Sequence, residues 1–237
     1  MPKWTAVVLC FLPLVVFTAC GAGNRIGVRV PSNNWSGYIL DGHYARVSAS
    51  WVQPSVNCSV APTASSKFWE AASFWTGLDG YFGTDTVEQI GTIAICLNGR
   101  PSYRAWFQFY PAPSHTYSNL VKPGDKISAS VTDHGYGYVA LILVDRSEGW
   151  RHRVSAQSHG RPTSAEAIAE AQTPPQPYYS RTLADFGTVR FTGATADGKS
   201  FSDLNGLHPI DMVSNGKLKA APSPIASGAF TVTWKHS

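Results

Sequence analysis

Short runs that alternate apolar and polar residues, each closed by Gly, Pro, Asn or Asp, fill this chain from about residue 35 almost to its end. A period of two puts successive side chains on opposite faces of an extended backbone, and the closing residues are those that turn a chain sharply. The runs predict strands over 35–40, 46–52, 67–78, 86–95, 103–110, 126–132, 138–145, 150–155, 187–192 and 229–234. So many short strands argue for a β-sandwich or barrel, and no internal domain boundary interrupts them. Eight Trp, ten Tyr and abundant Ser, Thr and Gly suit the pleated surfaces and tight turns of such a domain. One segment disagrees. Ser164-Ala165-Glu166-Ala167-Ile168-Ala169-Glu170-Ala171 is rich in helix formers, yet it also alternates, with Glu166, Ile168 and Glu170 on one face of a strand.

The N-terminus has the layout of an export signal: Met1-Pro2-Lys3, an apolar run from Trp4 to Phe17, then small residues through Gly23. The run is shorter than the roughly 20 residues that span a bilayer. Phe17-Thr18-Ala19-Cys20 resembles a bacterial lipobox with Phe in place of the usual first Leu, so Cys20 is a candidate for lipid attachment to a membrane. The expected organisation is a signal over 1–20, a Gly-rich tether over 21–30 and a β domain over 31–237, either secreted or lipid-anchored at the cell surface. With Cys10 and Cys20 in the signal, Cys58 and Cys96 are the thiols of the exported domain, and export favours a disulfide between them. Neither sits in a recognisable nucleophile signature. The net charge of +4 is spread over single Lys and Arg residues, which gives no footprint for nucleic acid. The seven His residues show no metal-ligand spacing, and neither a metal nor another cofactor is expected.

A series of motifs resembles the glutamic peptidases (eqolisins). Ser73-Phe74-Trp75-Thr76-Gly77-Leu78-Asp79-Gly80 followed by Val87-Glu88-Gln89-Ile90-Gly91 is similar to that family's Trp-Val-Gly-Ile-Asp-Gly and Leu-Gln-Thr-Gly. Asn34-Trp35-Ser36-Gly37 and Ser50-Trp51-Val52-Gln53-Pro54 resemble its opening strands. Downstream, the run from Tyr103 to Pro111 resembles Tyr-x-Ala-Trp-Tyr-Glu-Trp/Met-Tyr-Pro, and Val121-Lys122-Pro123-Gly124-Asp125 leads into the next strand as in the family. The segment from Ser164 to Glu170 aligns with Ala-Glu-Trp-Ile-Val-Glu, and Leu183 to Val189 with the strand after it. The order is the family's and the spacings are compatible. Gln108 stands where the family has Glu, and Ala167 where it has Trp.

The resemblance implies an antiparallel β-sandwich of two curved sheets, concanavalin-like or jelly-roll-like, with peptide or protein substrate across one face and a monomer as the working form. It implies Gln89 and Glu166 as the catalytic pair, with Trp75, Asp79, Trp106 and Gln108 supporting the groove, an extended backbone through 165–170, and an acidic working range. The chemistry is self-consistent: a carboxylate takes a proton from water and a side-chain amide holds the developing oxyanion. Two other readings stay open on the residues alone. A noncatalytic carbohydrate-binding or adhesive sandwich would use the same aromatics. A glycoside hydrolase would need two carboxylates about 5 to 9 Å apart, for which Glu166 and Glu170 are the obvious local pair.

Overall fold

The computed structural model describes residues 26–58, 69–81, 83–160, 162–172 and 182–236. The signal, Cys20 and the first half of the tether, 21–25, lie outside the described residues. Among the described residues the strands are β1 (Val30–Ser32), β2 (Trp35–Asp41), β3 (Arg46–Val52), β4 (Trp69–Leu78), β5 (Val87–Leu97) and β6 (Arg100–Tyr110). There follow β7 (His115–Leu120), β8 (Lys126–Asp133), β9 (Tyr138–Asp145), β10 (Trp150–Gln157), β11 (Ser164–Glu170) and β12 (Thr182–Leu183). The last are β13 (Thr188–Ala196), β14 (Lys199–Ser200), β15 (Leu207–Ser214), β16 (Lys217–Pro222) and β17 (Phe230–Trp234).

Pairing arranges them in two layers. The first runs β1-β15-β2-β11-β4-β5-β6-β7 and the second β16-β17-β13-β3-β8-β9-β10, and the β15–β16 hairpin carries the chain from one layer into the other. Among the described residues only β1 on β15 and β12 on β4 are parallel. Alternation then decides which residues meet. Tyr38, Leu40, Phe74, Leu78 and Ile90 of the first layer pack in one core with Trp51, Ile127, Leu141 and Phe191 of the second. A smaller apolar cluster of Ile39, Trp75, Val87, Trp106, Ile168 and Ile210 lies on the outer face of the first layer.

The ambiguous segment is strand β11, fully buried and paired on both edges, with β2 on one side and β4 on the other. Its alanines 165, 167 and 169 face the core. Helix preference is a fraction of a kcal/mol per residue, which two complete hydrogen-bonded ladders outweigh. Alternation does not predict the short strands β1, β12 and β14, nor the longer β7, β15 and β16. In β15, Pro209 argues against a central strand; it pairs with Tyr38, just outside the stretch 210–212 that β1 covers on the other edge.

Cys58 and Cys96 are bonded, 5.5 Å apart at Cα, tying the segment after β3 to the end of β5. The bond closes a loop of sequence separation 38. Replacing both cysteines by Ser is expected to cost about 2–4 kcal/mol of stability. Calorimetry of the two forms checks this; an unchanged melting temperature would show that the loop is held by other contacts.

Candidate active site

Four neighbouring strands of the first layer, β11, β4, β5 and β6, bring the sequence motifs into rows. One row is Glu166, Gly77, Gln89 and Gln108; the next is Ile168, Trp75, Gly91 and Trp106; the third is Glu170, Ser73, Ile93 and Arg104. Residues paired across antiparallel strands point to the same side, so all three rows face outward, away from the main core. The glycines make room for the indole of Trp75. A Cβ on Gly77 would lie 2.9 Å from Trp75 Cζ3, and one on Gly91 would lie 2.1 Å from Phe74 O and 2.6 Å from Trp75 Cβ. The Trp75 ring therefore occupies the space that Gly77 leaves between Glu166 and Gln89.

This packing separates the two glutamates. Trp75 Nε1 donates to Glu170 Oε2 at 2.8 Å, Gln172 Nε2 donates to the same oxygen at 3.0 Å, and Asn34 Nδ2 donates to Oε1 at 2.9 Å. Glu170 thus faces three N–H donors, the setting of a positioned carboxylate. It lines an open groove of about 690 Å³ together with Asn34, Trp35, Tyr81, Gln89, Gln108 and Tyr110. Gln89 Nε2 donates to Gln108 Oε1 at 3.1 Å, and Gln108 Nε2 donates to Ala112 O at 2.9 Å. Gln89 Oε1 has no hydrogen-bond partner among the described residues.

Glu166, the expected base, is placed away from the groove. It is 0% exposed, does not line the groove, and neither of its oxygens has a hydrogen bond of regular geometry among the described residues. Burial pushes its carboxyl well above the usual range; the Ser164 hydroxyl opposes this, while the charges of Asp79 and Glu88 add to it. Burial of this kind favours the neutral carboxyl over the carboxylate.

The other expected residues divide. Gln108 lines the groove. Trp75 and Trp106 lie beneath it, buried in the outer apolar cluster, and Trp75 reaches the site through its indole N–H. Asp79 is buried in a turn at φ 70°, where it accepts Thr86 Oγ1 at 2.6 Å and Thr163 Oγ1 at 3.2 Å, a structural role. Asn34 and Gln172 had no assigned part. The only sequence hint for Asn34 was its place in the Asn-Trp motif, and it takes on meaning once Trp35 is seen paired with Glu170. Among the described groove residues Glu170 is the one carboxylate, so the second acid that a glycoside hydrolase needs is not among them. Among the described residues, no group of three His, Cys, Asp or Glu gathers as a metal would require.

The model of the Peptidase A4 family matches residues 33–234. Aspergillopepsin-2 of Aspergillus niger is 27% identical over 222 residues, covering 86% of this chain and 78% of that protein. The crystal structure of aspergilloglutamic peptidase from Aspergillus niger superposes with a TM-score of 0.61 at 26% identity, covering 70% of this chain and 99% of that one. A scytalido-glutamic peptidase with a transition state analog inhibitor gives a TM-score of 0.71 at 23% identity over 86% of this chain and 99% of that one, a likeness of fold.

Proposed function

Because this chain belongs to the peptidase A4 family, we propose that it is a glutamic-type endopeptidase in which Glu170 and Gln89 are the catalytic pair. The observation that carries the pairing is that both line one groove whose described residues include no other carboxylate. Glu170, as carboxylate, takes a proton from water while the water oxygen attacks the scissile carbonyl carbon. The carbonyl oxygen becomes an oxyanion, and the hydrogen of Gln89 Nε2 that is not given to Gln108 donates to it. Gln89 Oε1, without a partner among the described residues, is available to hold the water. As the C–N bond breaks, protonated Glu170 returns the proton to the leaving amine, and a peptide bond has been exchanged for an acid and an amine. The N–H donors from Trp75, Asn34 and Gln172 keep the carboxylate aimed throughout.

Export belongs to the same reading. The disulfide suits an oxidising compartment, and a signal over 1–20 with a short tether would deliver the domain there, freely or on a lipid at Cys20. Digestion of a denatured protein from pH 2 to 7, with and without pepstatin, followed by mass spectrometry of the fragments, tests the activity. Internal cleavage insensitive to pepstatin is expected, and an inert protein across that range would favour a noncatalytic sandwich. The mass of the mature N-terminus reports the anchor.

Gln108 gives a finer expectation. Its amide accepts from Gln89 and donates to Ala112 O, and it does both at any pH. A Glu there can donate to that carbonyl only while protonated. Gln108→Glu should keep activity at pH 3 and lose about ten-fold by pH 6, because an ionised carboxylate would abandon the Ala112 contact. A kcat/KM profile parallel to wild type would show that this amide does not position Gln89.

A further inference from the structure

The outer face of the second layer has no part in the peptidase groove, and we propose that it binds an acidic polysaccharide. Strands β3 and β8 carry the same pattern, Arg46-Val47-Ser48-Ala49-Ser50 and Lys126-Ile127-Ser128-Ala129-Ser130. Antiparallel register sets Ser48 opposite Ser130 and Ser50 opposite Ser128, so four hydroxyls form a low floor while the alanines face the core. Arg153 and Arg151 of β10 stand in the same two rows, across Ile142 and Val144 of β9. A shallow trough results, floored by the four serines and bordered by Arg46, Arg146 and Arg151. Arg146 Nε lies on the floor, donating to Ser128 Oγ at 3.0 Å, and Ser50 Oγ donates to Ser128 Oγ at 3.2 Å.

The charge is one-sided. Lys126 and Arg151 and Arg153 are exposed on this face with Arg46 and Arg146, and no outward position of β3, β8, β9 or β10 carries an acid. The carboxylates at the near end are engaged with backbone: Asp197 accepts from Arg46 N and Asp133 from Gly135 N. Among the described residues, none of these five cations makes an ion pair; the pairs present are Arg29 with Asp211 and Lys122 with Glu148. Guanidinium forks match carboxylate and sulfate groups in pairs, and a rigid floor of hydroxyls offers both donors and acceptors to sugar hydroxyls. A protein partner would look for aromatic anchors in pockets, and a bilayer for a continuous apolar face. Here Ile142 and Val144 are half-buried between the serines and the arginines, and the exposed Val52 and Tyr138 stand at opposite ends of the face, so they form neither an aromatic pocket nor a continuous apolar patch. A hydrated polymer with repeated anionic groups needs only what is there.

The test is binding to immobilised polygalacturonate and to a sulfated polysaccharide at pH 6 over a range of NaCl, with a neutral polysaccharide as control. Binding to either acidic polymer, weakening with salt and absent from the neutral one, is expected. Arg151→Ser/Arg153→Ser should weaken it at least ten-fold, whereas Arg100→Ser/Lys217→Ser, with the same loss of charge elsewhere, should change it less than two-fold. Peptide hydrolysis should be unchanged in both pairs, which also reports folding. Absence of binding, or equal loss in the two pairs, would overturn the proposal. So would equally tight binding to poly-D-glutamate or to anionic phospholipid vesicles, which would make the face a general polyanion or membrane surface.

Discussion

Glu170→Gln is expected to lower kcat by about 10² to 10⁴ while leaving the melting temperature within a few degrees of wild type, and Gln89→Ala to do the same. Glutamine keeps the shape of the Glu170 side chain but cannot accept a proton, and it leaves Trp75, Asn34 and Gln172 with one amide oxygen in place of two carboxylate oxygens. The informative comparison is Glu166→Gln. A buried carboxyl held neutral by its surroundings can be exchanged for a neutral amide with little effect on turnover. Initial rates on a quenched peptide, with thermal melts for each variant, separate chemistry from folding. Full loss in Glu166→Gln with retention in Glu170→Gln would reverse the assignment of the two glutamates.

Stability should fall as pH rises from 4 to 8. Burial lifts the Glu88 carboxyl from its ordinary 4.5 to about 7; the Ser158 hydroxyl opposes this, and the charges of Asp79 and Asp133 add to it. Glu166 is displaced in the same direction. A carboxyl whose folded-state value is raised binds its proton more tightly when folded. Its contribution is fully present below about pH 4.5 and is lost as pH climbs through about 7. For Glu88 alone the difference is about 3 kcal/mol, and Glu166 adds to it. Denaturant melts at pH 4, 6 and 8 should therefore show a steady decline, and Glu88→Gln should flatten the curve by raising stability at pH 8. A stability that rises over that interval would mean that these acids are solvated or paired in solution.

Much of the site could be read before any coordinates. Alternation found the strands that carry it, and the Trp75-to-Gln89 motif places both on the outward face of adjacent strands. The choice between Glu166 and Glu170 could not be read locally, because both lie on the same face of β11, either side of Ile168, in an alanine-rich segment. The proposal for Glu170 rests on neighbours distant in sequence: Gly77, which admits the Trp75 ring, and Asn34, which reaches Glu170 from β2's approach. The overlooked strands failed for other reasons. β7 is largely exposed and polar, with little apolar alternation to detect, β16 loses its alternation at the adjacent Ala220 and Ala221, and β15 contains a proline.

The double pairing of β11 ties the catalytic groove to the stability of the whole domain. The amides of Ala169 and Glu170 sit in a strand bounded on each side by a ladder, so hydrogen exchange there requires separation from β2 or β4, both of which also carry the main core. Local fraying cannot reach them as it reaches an edge strand. Their exchange is expected to be among the slowest in the molecule and to follow the global unfolding free energy across pH. The strand that carries Glu170 would then be lost only together with the core, so any form that keeps the core keeps this wall of the groove.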